Sequence, residues 1–165
     1  MKPALLVIDV QKQFCEPGEP AAESIQDAIR FINFAIALFR EKDLPIICIQ
    51  HVSEEGHLVR GEEGFELPEE LAIEPSDPHI HKTYGNAFNK TSLADDLEAL
   101  GVDTVIVTGF CAEHCVLSTY RGALDLDLTP IVLRGALASY DRDHIRFVEE
   151  IGDVISYGAL EKVLG

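Results

Sequence analysis

Short apolar runs alternate with amphipathic segments along most of the chain. The runs are rich in Val and Ile and contain few polar positions, which is typical of parallel strands covered on both faces. The segments between them repeat apolar residues at steps of three and four, the period of a helix with one buried face. The runs predict six strands, near residues 4–9, 46–52, 79–82, 104–109, 128–135 and 153–156. The segments predict helices, near residues 24–42, 92–101, 115–125, 141–151 and 160–164.

This alternation determines the expected fold. Strands separated by helices imply a parallel sheet with right-handed crossovers and helices on both faces. We therefore expect an α/β protein with three layers, α-β-α, built on a doubly wound, mainly parallel, six-stranded sheet of the Rossmann-like kind. We expect one domain over residues 1–165. Residues 53–77 differ, with three glycines, two prolines and nine acids, and a connection this long predicts a lid or a subunit contact.

Composition narrows the possible partners. The formal net charge is -16 and the pI is about 4.6, so binding to nucleic acid or to an anionic membrane surface is not expected. No apolar run approaches the roughly 20 residues of a membrane-spanning helix, and the first residues lack the features of a signal peptide. The four cysteines show no extracellular disulfide spacing. We expect a cytoplasmic protein with reduced thiols and a small-molecule substrate.

Three reactive residues fall where predicted strands end. Asp9 closes the first strand, Lys82 closes the third, and Cys115 follows the fourth at the start of a helix. Ligands in such folds bind at the carboxyl ends of the strands, so the three side chains are expected to meet. The helix start and Lys82 predict a lowered pKa for the Cys115 thiol, and a carboxylate could move its proton. Taken singly, a cysteine is as often a core residue, and a lysine is more often a surface residue.

Three motifs strengthen this hypothesis. They are LLVIDVQKQF at residues 5–14, KTYGNAF at residues 82–88 and VTGFCAEHCVLST at residues 107–119. In this order and at these separations the chain resembles the isochorismatase-like cysteine hydrolases over nearly its whole length. That superfamily includes nicotinamidases, N-carbamoylsarcosine amidases and amidohydrolases of ureido compounds.

The resemblance implies roles for individual residues. Asp9 would be the general base, Lys82 the assisting cation and Cys115 the nucleophile. The peptide bond before Cys111 would be cis, and the backbone amides of Cys111 and Cys115 would form an oxyanion hole. We expect the substrate pocket to be lined by Gln11, Phe14, His51, Tyr84, Phe88 and Phe110.

Two departures from the family pattern refine the expectation. Many relatives carry Thr at the position of Ala112 and Asn or Asp at that of Glu113, so hydrogen bonding at this turn must differ. Relatives that bind a metal use an Asp-x-His pair after the second strand, and this chain has Ile49 in place of that Asp, beside His51. We therefore expect no catalytic metal and no cofactor. The alternation of a strand places His79 and His81 on one face, which leaves them as half of a possible metal site.

The leading functional hypothesis is a thiol-dependent hydrolase of a small carboxamide or ureido compound, acting through a thioester. Isochorismatases proper cleave a vinyl ether and lack the cysteine, so its presence favours amides. The alternatives are a vinyl-ether or ester hydrolase of the isochorismatase type, a thiol redox protein using Cys111 and Cys115, and a ligand-binding protein on the same fold. Because Ile49 cannot supply the metal ligand on which nicotinamide hydrolysis depends, we expect another small amide to be preferred over nicotinamide. Arg60 is the only Lys or Arg in the acidic segment, so this amide is expected to be neutral or monoanionic.

A homodimer or homotetramer is also expected. The long segment contains apolar side chains that need cover, which a second subunit could provide. They are Phe65, Leu67, Leu71 and Ile73.

Overall fold

One parallel sheet of six strands runs through the middle of the molecule in the computed structural model, which describes residues 1–165. The strands are β1 (Pro3–Ile8), β2 (Ile46–His51), β3 (His79–Lys82), β4 (Thr104–Gly109), β5 (Thr129–Leu137) and β6 (Val154–Ile155). Their order across the sheet is β3-β2-β1-β4-β5-β6, and every neighbouring pair is parallel. The predicted doubly wound α/β sheet is confirmed.

Helices cover both faces of this sheet. They are α1 (Lys12–Cys15), α2 (Ala22–Glu41), α3 (Leu93–Ala99), α4 (Leu117–Asp125), α5 (Arg142–Ile151) and α6 (Tyr157–Leu164). Side chains of α2 and α6 form one apolar cluster with the sheet, and side chains of α3, α4 and α5 form another. No helix combines the length and the apolar composition needed to cross a membrane.

The central strand β1 shows why the apolar runs are continuous. All six of its residues are buried. Leu5 and Val7 belong to the cluster under α2, and Leu6 and Ile8 belong to the cluster on the other face. Because side chains alternate between faces along a strand, a strand with both faces covered needs apolar residues at every position.

Helix boundaries differ from the prediction at several places, including α6, which begins three residues early at Tyr157. The short helix α1 was not expected, and α2 begins at Ala22, so Ser24 lies inside the helix. The Ser24 hydroxyl accepts a hydrogen bond from the backbone N–H of Ser139 at 3.1 Å. Its oxygen therefore ties α2 to the end of β5.

The apolar side chains of residues 53–77 are covered within the chain. Phe65, at the end of a 3-10 turn, and Leu71 are buried within the chain, and Leu67 and Ile73 pack against the cluster under α2. The segment therefore does not need a second subunit to cover these residues. Its role as a lid or a subunit contact stays a prediction.

Candidate active site

The strand order reverses between β1 and β4, and the carboxyl ends of these two strands lie side by side. Gly109 ends β4 with a φ of 111°, and a Cβ atom there would collide with the carbonyl oxygen of Ile8. Only glycine allows this close approach. Asp9 follows Ile8 directly, with a positive φ of 51°. The turn that leaves β4 therefore begins beside Asp9.

Asp9 and Lys82 form a buried ion pair at this point. The Lys82 Nζ lies 2.9 Å from the Asp9 Oδ2, and the two residues are 1% and 2% exposed. The same ammonium lies 2.9 Å from the Nδ1 of His51 and donates to the carbonyl oxygen of Tyr84 at 3.1 Å. Its three hydrogens are therefore all used. The predicted meeting of Asp9 and Lys82 is present in the structure.

The Lys82 ammonium determines the state of His51. An ammonium has hydrogens to donate and no lone pair, so the His51 Nδ1 must accept. Burial lowers the pKa of His51, and the Lys82 charge lowers it further against the opposing charge of Asp9. His51 is therefore neutral, and its remaining hydrogen is on Nε2.

Cys115 lies close to this pair, in the first turn of the helical segment that leads into α4. This turn, Ala112–Val116, has π-helical hydrogen bonding. One side-chain ligand atom from each of Asp9, His51 and Cys115 lies within 4.8 Å of the other two. The Asp9 Oδ1 is buried with no partner at hydrogen-bond distance, and burial raises the pKa of Asp9 against the lowering effect of Lys82, so this oxygen is suited to accept a proton.

The expected thiolate at Cys115 is wrong for the resting site. Burial raises the pKa of the thiol to about 12, and the Asp9 charge raises it too, while Lys82 acts in the opposite direction. Burial and the Asp9 carboxylate outweigh the Lys82 cation. Burial and the Glu70 charge raise the pKa of Cys15 to about 11, so Cys115 is not the most acidic thiol. Cys115 is a neutral thiol beside a carboxylate.

A cavity of about 180 Å³ opens above these side chains. Its walls are formed by Asp9, Phe14, His51, Phe110, Cys111, His114, Cys115 and Tyr140. Phe14, His51 and Phe110 occupy the places predicted for them. His114 and Tyr140 were not predicted, although Tyr140 follows a strand end like the other site residues.

Three predicted pocket residues do not line the cavity. The buried Gln11 amide donates to the carbonyl oxygens of His51 and Phe65 and accepts from the backbone N–H of His51. This side chain therefore links the segment after β1 to the end of β2 and to the 3-10 turn at Phe65. Tyr84 contributes its carbonyl oxygen to Lys82, and its exposed hydroxyl accepts from Lys90. Phe88 packs against the apolar cluster on the α3 side of the sheet.

Comparison with known proteins identifies the family. The family model of the isochorismatase domain matches residues 3–150. The chain belongs to the isochorismatase family. The isochorismatase-family protein YrdC of Bacillus subtilis (strain 168), itself uncharacterised, is 32% identical over 143 residues, which cover 84% of this chain and 75% of that protein. Maleamate amidohydrolase of Pseudomonas putida is 29% identical over 159 residues, covering 86% of this chain and 75% of that enzyme.

A solved structure agrees with this assignment. N-carbamoylsarcosine amidase from Thermoplasma acidophilum matches with a TM-score of 0.83 and 25% identity, covering 95% of this chain and 97% of that one. The resemblance drawn from the three motifs is confirmed. The Phe110–Cys111 peptide bond of this isochorismatase-family protein is cis, as the resemblance implied.

Glu113 gives the turn before Cys115 its own hydrogen-bond network. Its Oε2 accepts from the Cys111 thiol at 3.1 Å and from the Ser139 hydroxyl at 2.7 Å, and its Oε1 lies 2.7 Å from the His144 Nδ1. Burial alone would raise the pKa of Glu113, but these hydrogen bonds outweigh burial and lower the pKa to about 2. Glu113 is therefore ionised at neutral pH.

Two groups of side chains in this isochorismatase-family fold have the composition of metal ligands. Asp9, His51 and Cys115 form one, but the Lys82 ammonium already contacts two of them and would repel a cation. The other group is Cys111, Glu113 and His114. Elsewhere, the His79 Nδ1 lies 3.0 Å from the Gln50 Oε1 and the His81 ring lies edge-on to Phe65, so the pair predicted as half of a metal site is engaged with other groups.

Proposed function

We propose that this chain is a thiol-dependent hydrolase that cleaves the C–N bond of a small carboxamide or ureido compound. The observation that carries the proposal is the buried Asp9–Lys82 pair beside Cys115, with one carboxylate oxygen of Asp9 left free. A neutral thiol is a weak nucleophile, and a carboxylate within reach can take its proton as the sulfur attacks.

The proposed reaction has two halves. The Cys115 sulfur adds to the substrate carbonyl carbon while the Asp9 Oδ1 takes the thiol proton. Asp9 then returns this proton to the leaving nitrogen, and ammonia or an amine departs from a thioester. Water attacks the thioester, Asp9 accepts a proton from the water, and the acid leaves as that proton returns to the sulfur.

Lys82 and the backbone complete this mechanism. Because all three hydrogens of Lys82 are engaged, its role is to fix the Asp9 carboxylate and to stabilise negative charge, and not to donate a proton. The backbone amides of Cys111 and Cys115 are proposed as the oxyanion hole. The Cys111 N–H fits this role because it donates to no backbone acceptor within the chain.

The cavity indicates the kind of substrate. Its volume of about 180 Å³ suits a small molecule, and Phe14, Phe110 and Tyr140 give it apolar walls. Arg60 does not line it, and Lys82 is fully engaged, so no free lysine or arginine is available for a carboxylate. This weakens the expectation that a monoanion is accepted. The names of two relatives, maleamate amidohydrolase and N-carbamoylsarcosine amidase, support hydrolysis of a C–N bond.

A panel of small amides and ureides tests the proposal by ammonia release. We expect turnover of at least one compound, its loss in Cys115→Ala and Asp9→Asn, and an acyl adduct on Cys115 in the intact mass of the wild type. Dialysis against a chelator should leave activity unchanged. Turnover that survives Cys115→Ala, or that disappears with chelator and returns with zinc, would refute the proposal, as would cleavage of a vinyl ether alone.

A further inference from the structure

The electrostatic surroundings of the cavity are uneven. At its base the Asp9 carboxylate and the Lys82 ammonium compensate each other at 2.9 Å. On one wall, Cys111 separates the cavity from the carboxylate of Glu113, whose Oε2 lies 3.1 Å from the Cys111 sulfur. The Glu113 side chain is only 15% exposed, so water screens its charge poorly.

No lysine or arginine balances Glu113. Arg142 follows the wall residue Tyr140 by two positions. It is paired with other acids, since it lies 2.7 Å from Asp27 and 3.7 Å from Glu23. The groups near the Glu113 carboxylate are a thiol, a hydroxyl and two imidazoles, those of His144 at 2.7 Å and of His114 at 4.0 Å. The Ser139 hydroxyl is neutral, and so is the Cys111 thiol, whose pKa burial raises to about 12, so the Glu113 carboxylate supplies the negative charge of this cluster.

A second acid and three aromatic rings also favour positive charge in this part of the cavity. Burial raises the pKa of Tyr140 on the cavity wall, and the charges of Glu19 and Glu113 raise it too. The Phe14 and Phe110 rings lie 4.6 Å apart, and the Phe110 and Tyr140 rings 5.2 Å apart. The faces of such rings attract cations.

We propose that Glu113 is a specificity-determining residue that selects the charge of the substrate, so that the cavity favours an amide bearing an ammonium group and disfavours one bearing a carboxylate. The inference rests on the proposed function for the role of Cys115. It goes further because it names the charge of the preferred substrate.

Charged thiol reagents test this selectivity without a known substrate. Methanethiosulfonates with a 2-ammonioethyl, a 2-sulfonatoethyl or a methyl group react alike: the Cys115 sulfur forms a disulfide with the transferred thio group, and methanesulfinate leaves with the thiol proton going to solvent. The rate at Cys115 is followed by tandem mass spectrometry at about pH 8. Rates with 2-mercaptoethanol correct for the intrinsic reactivity of each reagent.

We expect the cationic reagent to react with Cys115 about tenfold faster than the anionic one after this correction, because water screens the Glu113 charge poorly. Glu113→Gln should bring the ratio close to one while the rate of the methyl reagent stays the same. Two controls should keep the wild-type ratio. Glu98→Gln makes the same change in net charge on the exposed side of α3, and Ser139→Ala removes a hydrogen bond from the Glu113 cluster but keeps its charge.

Three outcomes would overturn the inference. The first is a ratio of cationic to anionic rates that is unchanged in Glu113→Gln, and the second is an equal loss of this ratio in Glu98→Gln or Ser139→Ala. The third is a wild-type ratio of one, which can be measured even if Glu113→Gln does not fold. The proposed function has a separate test. It fails if Cys115→Ala keeps its hydrolase activity, whatever the ratio of the reagent rates. Hydrolysis of cationic, neutral and anionic amides of matched size should then follow the order of the reagents.

Discussion

At the scale of single residues, one buried ammonium organises the site. Lys82 holds the Asp9 carboxylate, fixes the tautomer of His51 and contacts the Tyr84 carbonyl oxygen. The cost of burying two charges is offset because the pair is in direct contact and further hydrogen bonded. Removing either partner would leave an unpaired charge beside Cys115.

Asp9→Asn should separate turnover from thiol reactivity. We expect hydrolysis to fall by about 100-fold or more, because the general base is lost. The Asp9 charge raises the pKa of Cys115, so its removal, with Lys82 still beside the sulfur, should lower that pKa and speed alkylation by iodoacetamide near neutral pH. Peptide mapping supplies the rates, with Cys15 as the internal control. Slower alkylation of Cys115 in the variant would mean that Asp9 activates the thiol toward every electrophile.

Glu113 predicts a pH dependence of stability. Its pKa falls from 4.5 to about 2 on folding, so the unfolded state binds the proton more tightly. The resulting stabilisation is fully present above about pH 4.5 and is lost as the pH falls through about 2. Urea unfolding at several pH values should show the advantage of the wild type over Glu113→Gln shrinking in this window, by up to about 3 kcal/mol. A constant difference across the window would contradict the assigned hydrogen bonds.

At the scale of elements, the site depends on the contact between the ends of β1 and β4. Ile8 is the register partner of Gly109, and the missing side chain of Gly109 lets the two backbones approach. Asp9 and the turn that carries Cys115 continue from these two residues. A small change at Gly109 therefore acts on the whole arrangement.

Gly109→Ala should destabilise the protein by at least about 2 kcal/mol, because alanine resists the positive φ and its Cβ would strike the Ile8 carbonyl oxygen. Gly158→Ala is the matched control, since a Cβ there meets nothing within 4 Å. In α6 it should stabilise by up to about 1 kcal/mol. Urea unfolding measures both changes, and equal effects would contradict the role given to Gly109.

The strands and the positions of Asp9 and Lys82 could be predicted because apolar runs and strand ends are visible in sequence. Tyr140 was missed because the strand seemed to stop at Gly135, whereas β5 continues to Leu137 past an irregularity in its pairing with β4. Gln11 was misplaced because a buried amide that bonds only to backbone leaves no pattern in sequence. The pKa of Cys115 depends on its burial, which the spacing of residues does not reveal.

At the scale of the whole molecule, the exposed apolar side chains lie outside the segment first suspected, on α5 and on several other elements. The outer side of α5 exposes Phe147 and Ile151, which are 49% and 48% exposed and four residues apart on one helical face. Tyr140, at the cavity, is exposed next to this helix in sequence. Such a surface favours contact with a second subunit near the mouth of the cavity.

We therefore keep the prediction of a homo-oligomer and assign it to α5. Light scattering at micromolar concentration should give at least a dimer for the wild type and a monomer for Phe147→Asp, because a charge would be buried in the contact. Phe34→Asp is the control, since Phe34 is also exposed but packs against the rings of Phe31 and Tyr157. A monomeric wild type, or dissociation by Phe34→Asp alone, would contradict the assignment.

The pairing of β1 with β4 also determines where the chain can change length. Inserting or deleting one residue between Thr104 and Gly109 would turn every later side chain of the strand to the opposite face and shift the Cys115 turn by about 3.3 Å. Residues 53–63, in contrast, form a mostly exposed excursion between strands. Relatives of this protein should therefore vary in length between β2 and β3, and keep the spacing from Thr104 to Cys115 constant.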